Sequence, residues 1–332
     1  HPLTGGKQVV CESFRNLIAV GAKPIAITNC LNFGSPENEE NMGEFVECVK
    51  GIGEASEYLK FPVVSGNVSF YNQTKDKGIK PTPAIGGVGL IKNYEKMITM
   101  NLKKEGNLIF VIGKTEGQLD QSIFAKSILS EDKGPPPEIN LFNEKNIGET
   151  ILKLMDKNLI NSCHDVSLGG ILIAIAKMCL MGKKGIKLNP IKDLTNKFEY
   201  FFSEDQGRYI VTTSEETAGM ILQRAPEVGV VATVIRAGGR ARAAAIWRQG
   251  RHPFALSHAP APRQHHGYPT RGRTQRSTAC QPRRAHGRPK RVTKRVTSVS
   301  SVAQRRSVAA SARHRTARQG KRVIYCAGSR QL

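Results

Sequence analysis

Three stretches gather residues able to do chemistry. In Phe61-Pro-Val-Val-Ser-Gly-Asn-Val-Ser-Phe-Tyr-Asn72 an apolar run meets a small-residue corner at Ser65-Gly66-Asn67, with a further hydroxyl at Ser69. A carboxamide and two hydroxyls beside a glycine can coordinate a hard cation or donate to phosphoryl oxygens, because the glycine lets backbone approach the ligand. The same words are also turn vocabulary, so residue types leave both readings open. The second stretch is Ser162-Cys-His-Asp-Val-Ser-Leu-Gly-Gly170. Its Cys163, His164 and Asp165 invite a catalytic-triad reading, but neighbours on an extended chain point to opposite faces and do not act on one another that way. Asp165 and Ser167 either face a ligand at a strand end or cap a helix starting at Leu168, whose N-terminus favours anions. The third, Phe201-Phe-Ser-Glu-Asp-Gln-Gly-Arg208, is a polar binding loop or a solvated turn, and its composition alone favours the turn.

The elements that must position these residues follow from periodicity. Val10, Phe14, Leu17, Ile18 and Ala22 recur at helical spacing over residues 7–22, closed by Gly21 and Pro24. Pro24 to Thr28 reads as a buried strand running into a loop at Asn29-Cys-Leu-Asn-Phe-Gly34, and Met42 to Leu59 as a second helix. The Phe61 strand comes next and ends at the Gly66 corner. Two strand ends therefore follow two helices, which is where α/β proteins place ligands. Ala84 to Ile91 is a strand whose glycines 86, 87 and 89 permit close packing; it lacks a dinucleotide fingerprint. After a linker over 99–106, the spacing predicts a strand over 107–113, helices over 118–130 and 145–157, a strand over 209–213, a helix over 215–223 and a strand over 230–235.

The formal charge of +23 is unevenly placed. Residues 240–332 hold 23 of the 50 Lys+Arg and no Asp or Glu, so residues 1–239 balance 27 bases against all 27 acids. Basic residues are mostly Lys before this point and mostly Arg after it, where six of the eight histidines also fall. The seven cysteines contain no Cys-x-x-Cys pair, which argues against a zinc site or disulfide framework and for reduced thiols in a cytoplasmic protein. The longest strongly apolar run, Ile171 to Ala176, is far short of a membrane span. The first residue is His, so the chain reads as a fragment.

Six motifs then carry a resemblance: Arg15-Asn-Leu-x-Ala-Val-Gly-Ala-x-Pro24, Thr28-Asn-Cys-Leu-Asn-Phe-Gly-x-Pro-Glu37, Ser65-Gly-Asn-Val-Ser-x-Tyr-Asn72, Pro81-Thr-Pro83, His164-Asp-Val-Ser-x-Gly-Gly170 and Asp205-Gln-Gly-Arg-Tyr209. In this order, over residues 1 to about 237, the chain resembles the second half of the synthetase subunit of phosphoribosylformylglycinamidine synthase, within the wider superfamily of aminoimidazole ribonucleotide (AIR) synthetase. The resemblance implies a mixed α/β fold: an AIR-synthetase-like N-terminal domain over 1–98, a truncated AIR-synthetase-like C-terminal domain over 106–239, and a disordered Arg-rich tail over 240–332. It implies an ATP-dependent ligase of purine biosynthesis, in which ATP phosphorylates a formyl amide oxygen and ammonia from glutamine displaces the phosphate. The implied cofactors are Mg2+ and ATP. Carried over residue by residue, Asn29 and Gly66 contact ATP, Asn67 is a metal ligand and Ser69 contacts substrate. Some members have Asp where Asn29 stands; the carboxamide keeps hydrogen bonding to nucleotide and drops the charge. Asp165, Glu204 and Gln206 would face an auxiliary nucleotide site related by the family's internal two-fold. The general base and most metal carboxylates belong to the first half, so no catalytic residue is expected here and the fragment is expected to be inactive alone. The implied partners are that first half, a glutaminase subunit, a small bridging subunit and a small-molecule substrate, with no membrane.

The tail has too little apolar surface to offset the entropy of ordering. Taken at face value, it makes the rival reading a non-enzymatic binder of nucleic acid or another polyanion, held by counterion release. Its lack of acids and its abrupt start inside a domain read instead as out-of-frame or misjoined translation. A third reading, a selenophosphate or thiamine-monophosphate kinase relative in the same superfamily, is disfavoured by the wording of the Asn29 and Gly66 motifs.

Overall fold

The structure, a computed structural model, describes residues 1–75, 77–188, 196–227, 231–234 and 322–329. Helix α1 (Pro2–Ala19) is followed by strand β1 (Lys23–Asn32), helix α2 (Glu39–Tyr58) and strand β2 (Val63–Ser69). A small hairpin of β3 (Gln73–Thr74) and β4 (Lys77–Gly78) leads into β5 (Thr82–Ile91). β1 pairs parallel with β2 and antiparallel with β5. The helices cover one face of this sheet. Val9, Leu17 and Ile18 of α1 and Ile52 and Ala55 of α2 pack with Ile27, Leu31, Phe61 and Ile85. α1 can lie close because positions 87 and 89 are glycines: a Cβ at Gly87 would meet Leu17 Cδ1 at 3.1 Å, and one at Gly89 would meet Leu17 Cδ2 at 3.0 Å. Among the described residues, the opposite face carries no helix.

The second part contains β6 (Leu108–Ile112), a π-helical turn (Ala125–Leu129), α3 (Leu141–Asp156), β7 (Ser162–Asp165), α4 (Gly170–Gly182), α5 (Lys197–Phe202), β8 (Tyr209–Thr213), α6 (Glu215–Glu227) and β9 (Ala232–Val234). Its sheet runs β7-β8-β6-β9, every pair antiparallel. Both faces are buried, so strand alternation splits β6: Ile109 and Val111 pack under α4, while Phe110 and Ile112 join the core around α1 and α3. One apolar core thus continues from α1 through α3 into the second sheet.

Several expectations are corrected. Residues 29–32 are not a loop and Ser65-Gly66-Asn67 is not a corner; both lie inside strands, because β1 and β2 pair in unbroken register from Thr28↔Ser65 to Asn32↔Ser69. The helix expected over 118–130 is a bend followed by the π-helical turn, and the one expected over 145–157 starts earlier, where the Asn140 side chain caps Asn143 N–H. The disorder expected over 240–332 lies outside the described residues except at 322–329. There β10 (Arg322–Ser329) pairs antiparallel with β5 along its remaining edge.

Candidate functional site

The sequence-predicted residues form two separate groups. In the first, the register sets Asn29 beside Gly66, Cys30 beside Asn67 and Asn32 beside Ser69 on neighbouring strands. Alternation then divides them between faces. Leu31, two residues from Asn29, is buried under the helices, so Asn29 lies on the helix-covered side and Cys30, Asn32, Asn67 and Ser69 lie on the open side. Gly66 is what lets Asn29 fit: any Cβ there would overlap Asn29 Oδ1 and would sit 2.7 Å from its backbone carbonyl. The glycine is thus an extended-strand residue chosen for close approach, in place of the turn conformation expected from its neighbours.

On the open side, Asn67 is exposed and its Nδ2 points at Cys30 Sγ, 3.4 Å away. Ser69 Oγ donates to Asn72 Oδ1 at 3.4 Å, and Asn72 Nδ2 donates to Ser69 O at 2.8 Å and Phe33 O at 3.0 Å, tying the ends of β1 and β2 together. Asn32 Nδ2 reaches Thr82 O at 3.2 Å, which brings the Pro81-Thr-Pro83 motif to the same end of the sheet. Tyr71, at φ 59°, donates to Glu37 Oε1 at 3.2 Å. Three of the six motifs therefore converge here. The donor set is neutral, and among the described residues no group of three His, Cys, Asp or Glu could hold a metal ion. A hard cation takes about six oxygens, so this face fits one only as a minor contributor: the Asn67 carboxamide oxygen, without a hydrogen bond among the described residues, could supply one oxygen, and other groups would have to supply the rest.

The second group is buried and charged. Arg15 of α1 forms a short ion pair with Glu144 of α3, both 1% exposed, and its Nη2 donates to Gln206 Oε1 at 2.9 Å. Burial opposes the Arg15 charge, but Glu144 together with Cys11, Tyr209 and Glu12 outweighs it, and the guanidinium is held protonated more firmly than usual. Burial pushes Glu144 up, against the pull of Arg15. For Asp165, burial pushes upward while the His164 contact at 3.1 Å and the Arg15 charge reverse it, leaving the carboxyl below its ordinary range. Here the structure corrects the expectation that neighbours cannot touch: at the end of β7 the side chains of His164 and Asp165 turn toward each other. Cys163, the third member of the triad reading, is buried, and burial raises its thiol, which disfavours the thiolate.

The stretch 201–208 is not a solvated turn. Glu204, Asp205 and Arg208 are all buried. Asp205 accepts from the backbone N–H groups of Glu116, Gly117 and Gln118 at 2.9–3.1 Å and from Ser203 Oγ at 2.9 Å. Arg208 is pushed down to about 10, chiefly by burial, with Asp205 pulling the other way. Glu204 Oε1 takes the N–H groups of Ile123 and Gly169, each at 2.8 Å. Gly169, in the left-handed region, is the N-cap of α4, so neither Asp165 nor Ser167 caps that helix through its side chain. Of the expected auxiliary-site residues, Gln206 lines a cavity of about 500 Å3, together with Lys7, Tyr58, Lys114, Asn140 and Glu144; Asp165 and Glu204 do not. Sequence reasoning missed Glu144 altogether. The available signal was a charge in phase with an apolar stripe, Glu144 with Ile147 and Ile151, as Arg15 stands with Cys11 and Ile18.

Residues 1–91 match the family model described as AIR synthase related protein, N-terminal domain, and residues 104–242 match AIR synthase related protein, C-terminal domain. The chain is 73% identical over 226 residues to phosphoribosylformylglycinamidine synthase subunit PurL of Pelagibacter ubique, covering 67% of this chain and 31% of that protein. The subunit of the same name from Azorhizobium caulinodans is 47% identical over 239 residues, covering 72% of this chain and 32% of its own length. The chain thus spans about a third of the length of these relatives. Among solved structures, T. maritima PurL complexed with ATP aligns with a TM-score of 0.55 at 21% identity, over 71% of this chain and 37% of that one, a likeness of fold.

Proposed function

Because the chain belongs to the AIR synthase related family, carrying that family's N-terminal and C-terminal domains in order, we propose that it is a piece of an ATP-dependent carbon–nitrogen ligase, the synthetase subunit of phosphoribosylformylglycinamidine synthase. In this reading the whole enzyme converts formylglycinamide ribonucleotide, ATP and glutamine-derived ammonia to formylglycinamidine ribonucleotide, ADP and phosphate, in the cytoplasm. The observation that carries the reading is the register at which Asn29 meets Gly66 and Cys30 meets Asn67, a neutral donor face with a backbone cradle.

The division of labour follows from the donors. Asn67 contributes a carboxamide oxygen to Mg2+, which when bound would neutralise phosphate charge during phosphoryl transfer. Gly66 makes room for the Asn29 carboxamide, the two contacting the nucleotide from the covered side, and Ser69 hydrogen-bonds to substrate. The charge-bearing and proton-transferring groups come from the rest of the subunit. Val63, Val64 and Val68 stand exposed along β2, an edge strand exposed on both of its faces among the described residues, which supports this strand as the seat of that missing half. A glutaminase subunit and a small bridging subunit complete the assembly we propose. The cavity beside Gln206 supports keeping an auxiliary nucleotide site on the second part, with Asp165 and Glu204 as its buried framework.

The test is reconstitution. The separately expressed remainder of the subunit is mixed with this chain and ADP formation is followed with formylglycinamide ribonucleotide and ammonia. Turnover by the mixture and by neither part alone is expected; failure of the parts to associate would overturn the reading. Salt-sensitive RNA binding that disappears on truncation at Gly239, without any reconstituted turnover, would favour the tail-driven alternative.

A further inference from the structure

Cys30 and Asn67 are register partners, and Asn67 Nδ2 lies 3.4 Å from Cys30 Sγ. On its other side the sulfur meets Asn32, with Oδ1 at 3.9 Å and Nδ2 at 3.6 Å. Asn32 is itself fixed by Thr82 O and Cys30 O, so it does not rotate to suit the thiol. A thiol has one proton to give and lone pairs that accept weakly. With that proton directed to Asn32 Oδ1, the sulfur shows lone pairs to Asn67, and only the amide end of Asn67 complements them. The carboxamide is thereby set nitrogen inward and oxygen outward on the open face.

We propose that Cys30 is a positioning residue: it fixes the orientation of the Asn67 carboxamide so that its oxygen is presented to a phosphate-bound divalent cation. This rests on the nucleotide-site reading above. Sulfur is too soft to compete for a hard cation, so Cys30 acts through Asn67 alone. A serine hydroxyl, which also gives one proton and accepts, would preserve the orientation, whereas alanine would leave the carboxamide free to turn.

The experiment compares the full chain with Cys30→Ser and Cys30→Ala by NMR of the Asn67 side-chain amide, first alone and then titrated with Mn2+ and ATP. In the parent and in Cys30→Ser, the Asn67 Nδ2 protons should show cross-relaxation to the side chain at position 30. In Cys30→Ala, both proton shifts should change while backbone resonances of β1 and β2 stay in place. Paramagnetic broadening of Asn67 should need roughly 3- to 10-fold more Mn2+–ATP in Cys30→Ala, the factor that matches one hydrogen bond, with Cys30→Ser close to the parent. Unchanged Asn67 amide shifts in Cys30→Ala, or equal broadening in all three chains, would overturn the proposal. Absence of broadening in all three would count against the nucleotide reading alone, since the amide shifts decide the orientation independently.

Discussion

The open sheet face around Asn67 and the buried cluster around Arg15 use similar polar residues to opposite ends. On the sheet face the groups are neutral, Asn67 exposed and Cys30, Asn32 and Ser69 half-buried, and Asn67 keeps an oxygen with no partner among the described residues. In the cluster the groups are charged and buried, and Asp205 is saturated by three backbone N–H groups and a hydroxyl. Asp205, satisfied by its own protein, is held for structure, and the open valence of Asn67 faces solvent; the open valences of the cluster, at Arg15 Nε, Glu144 Oε2 and His164 Nε2, are buried away from it. Burial and partner count therefore separate what residue type alone confuses.

Breaking the buried side should give the largest effect. Arg15→Met leaves Glu144 buried and uncompensated, and should destabilise the chain by about 3–5 kcal/mol in chemical denaturation. Adding Glu144→Leu should recover most of that loss; if the double variant is no better than the single, the pair is not the unit it is taken to be. Next comes Gly66→Ala, which forces the Asn29 carboxamide or β2 to shift, at about 1–3 kcal/mol, the usual cost of overpacking. It should also weaken nucleotide binding in the reconstituted enzyme, and a stability change without a binding change would move Asn29 out of the site. Asp165 comes third. Its folded-state pKa is lowered, so its contribution is present above the unfolded carboxyl value and is lost as pH falls through the folded one. Asp165→Asn should accordingly lower stability near neutral pH and flatten the acid limb of a stability–pH curve, the two chains converging at low pH. The smallest expected stability effect is at Asn67. Asn67→Ala should fall within about 0.5 kcal/mol of the parent while losing metal–nucleotide affinity on reconstitution. A large loss of stability there would dissolve the contrast between the two regions.

Much of this was legible in the sequence, for reasons that differ by element. The helices α1, α2 and α3 follow from apolar spacing, and the motif wording led to the residues of both groups. The strand state of Asn29 to Asn32 and of Ser65 to Asn67 was not legible. Asn, Gly and Ser have turn propensity, and only the pairing of β1 with β2, a tertiary fact, overrides it. The buried state of 203–208 was hidden likewise. Acids and an arginine read as solvated until the N–H donors of a loop some 88 residues earlier are seen to converge on Asp205.

The Arg15 pairing also bears on how the chain is made. Its partners lie 129 and 191 residues downstream, so α1 leaves the ribosome with a guanidinium destined for burial and neither of these partners yet made. At synthesis rates of 5–20 residues per second, the gap to Gln206 corresponds to roughly 10–40 s. During that interval the first sheet can form, but its leading helix has to wait, one charge exposed, for the second part of the chain to emerge and close over it.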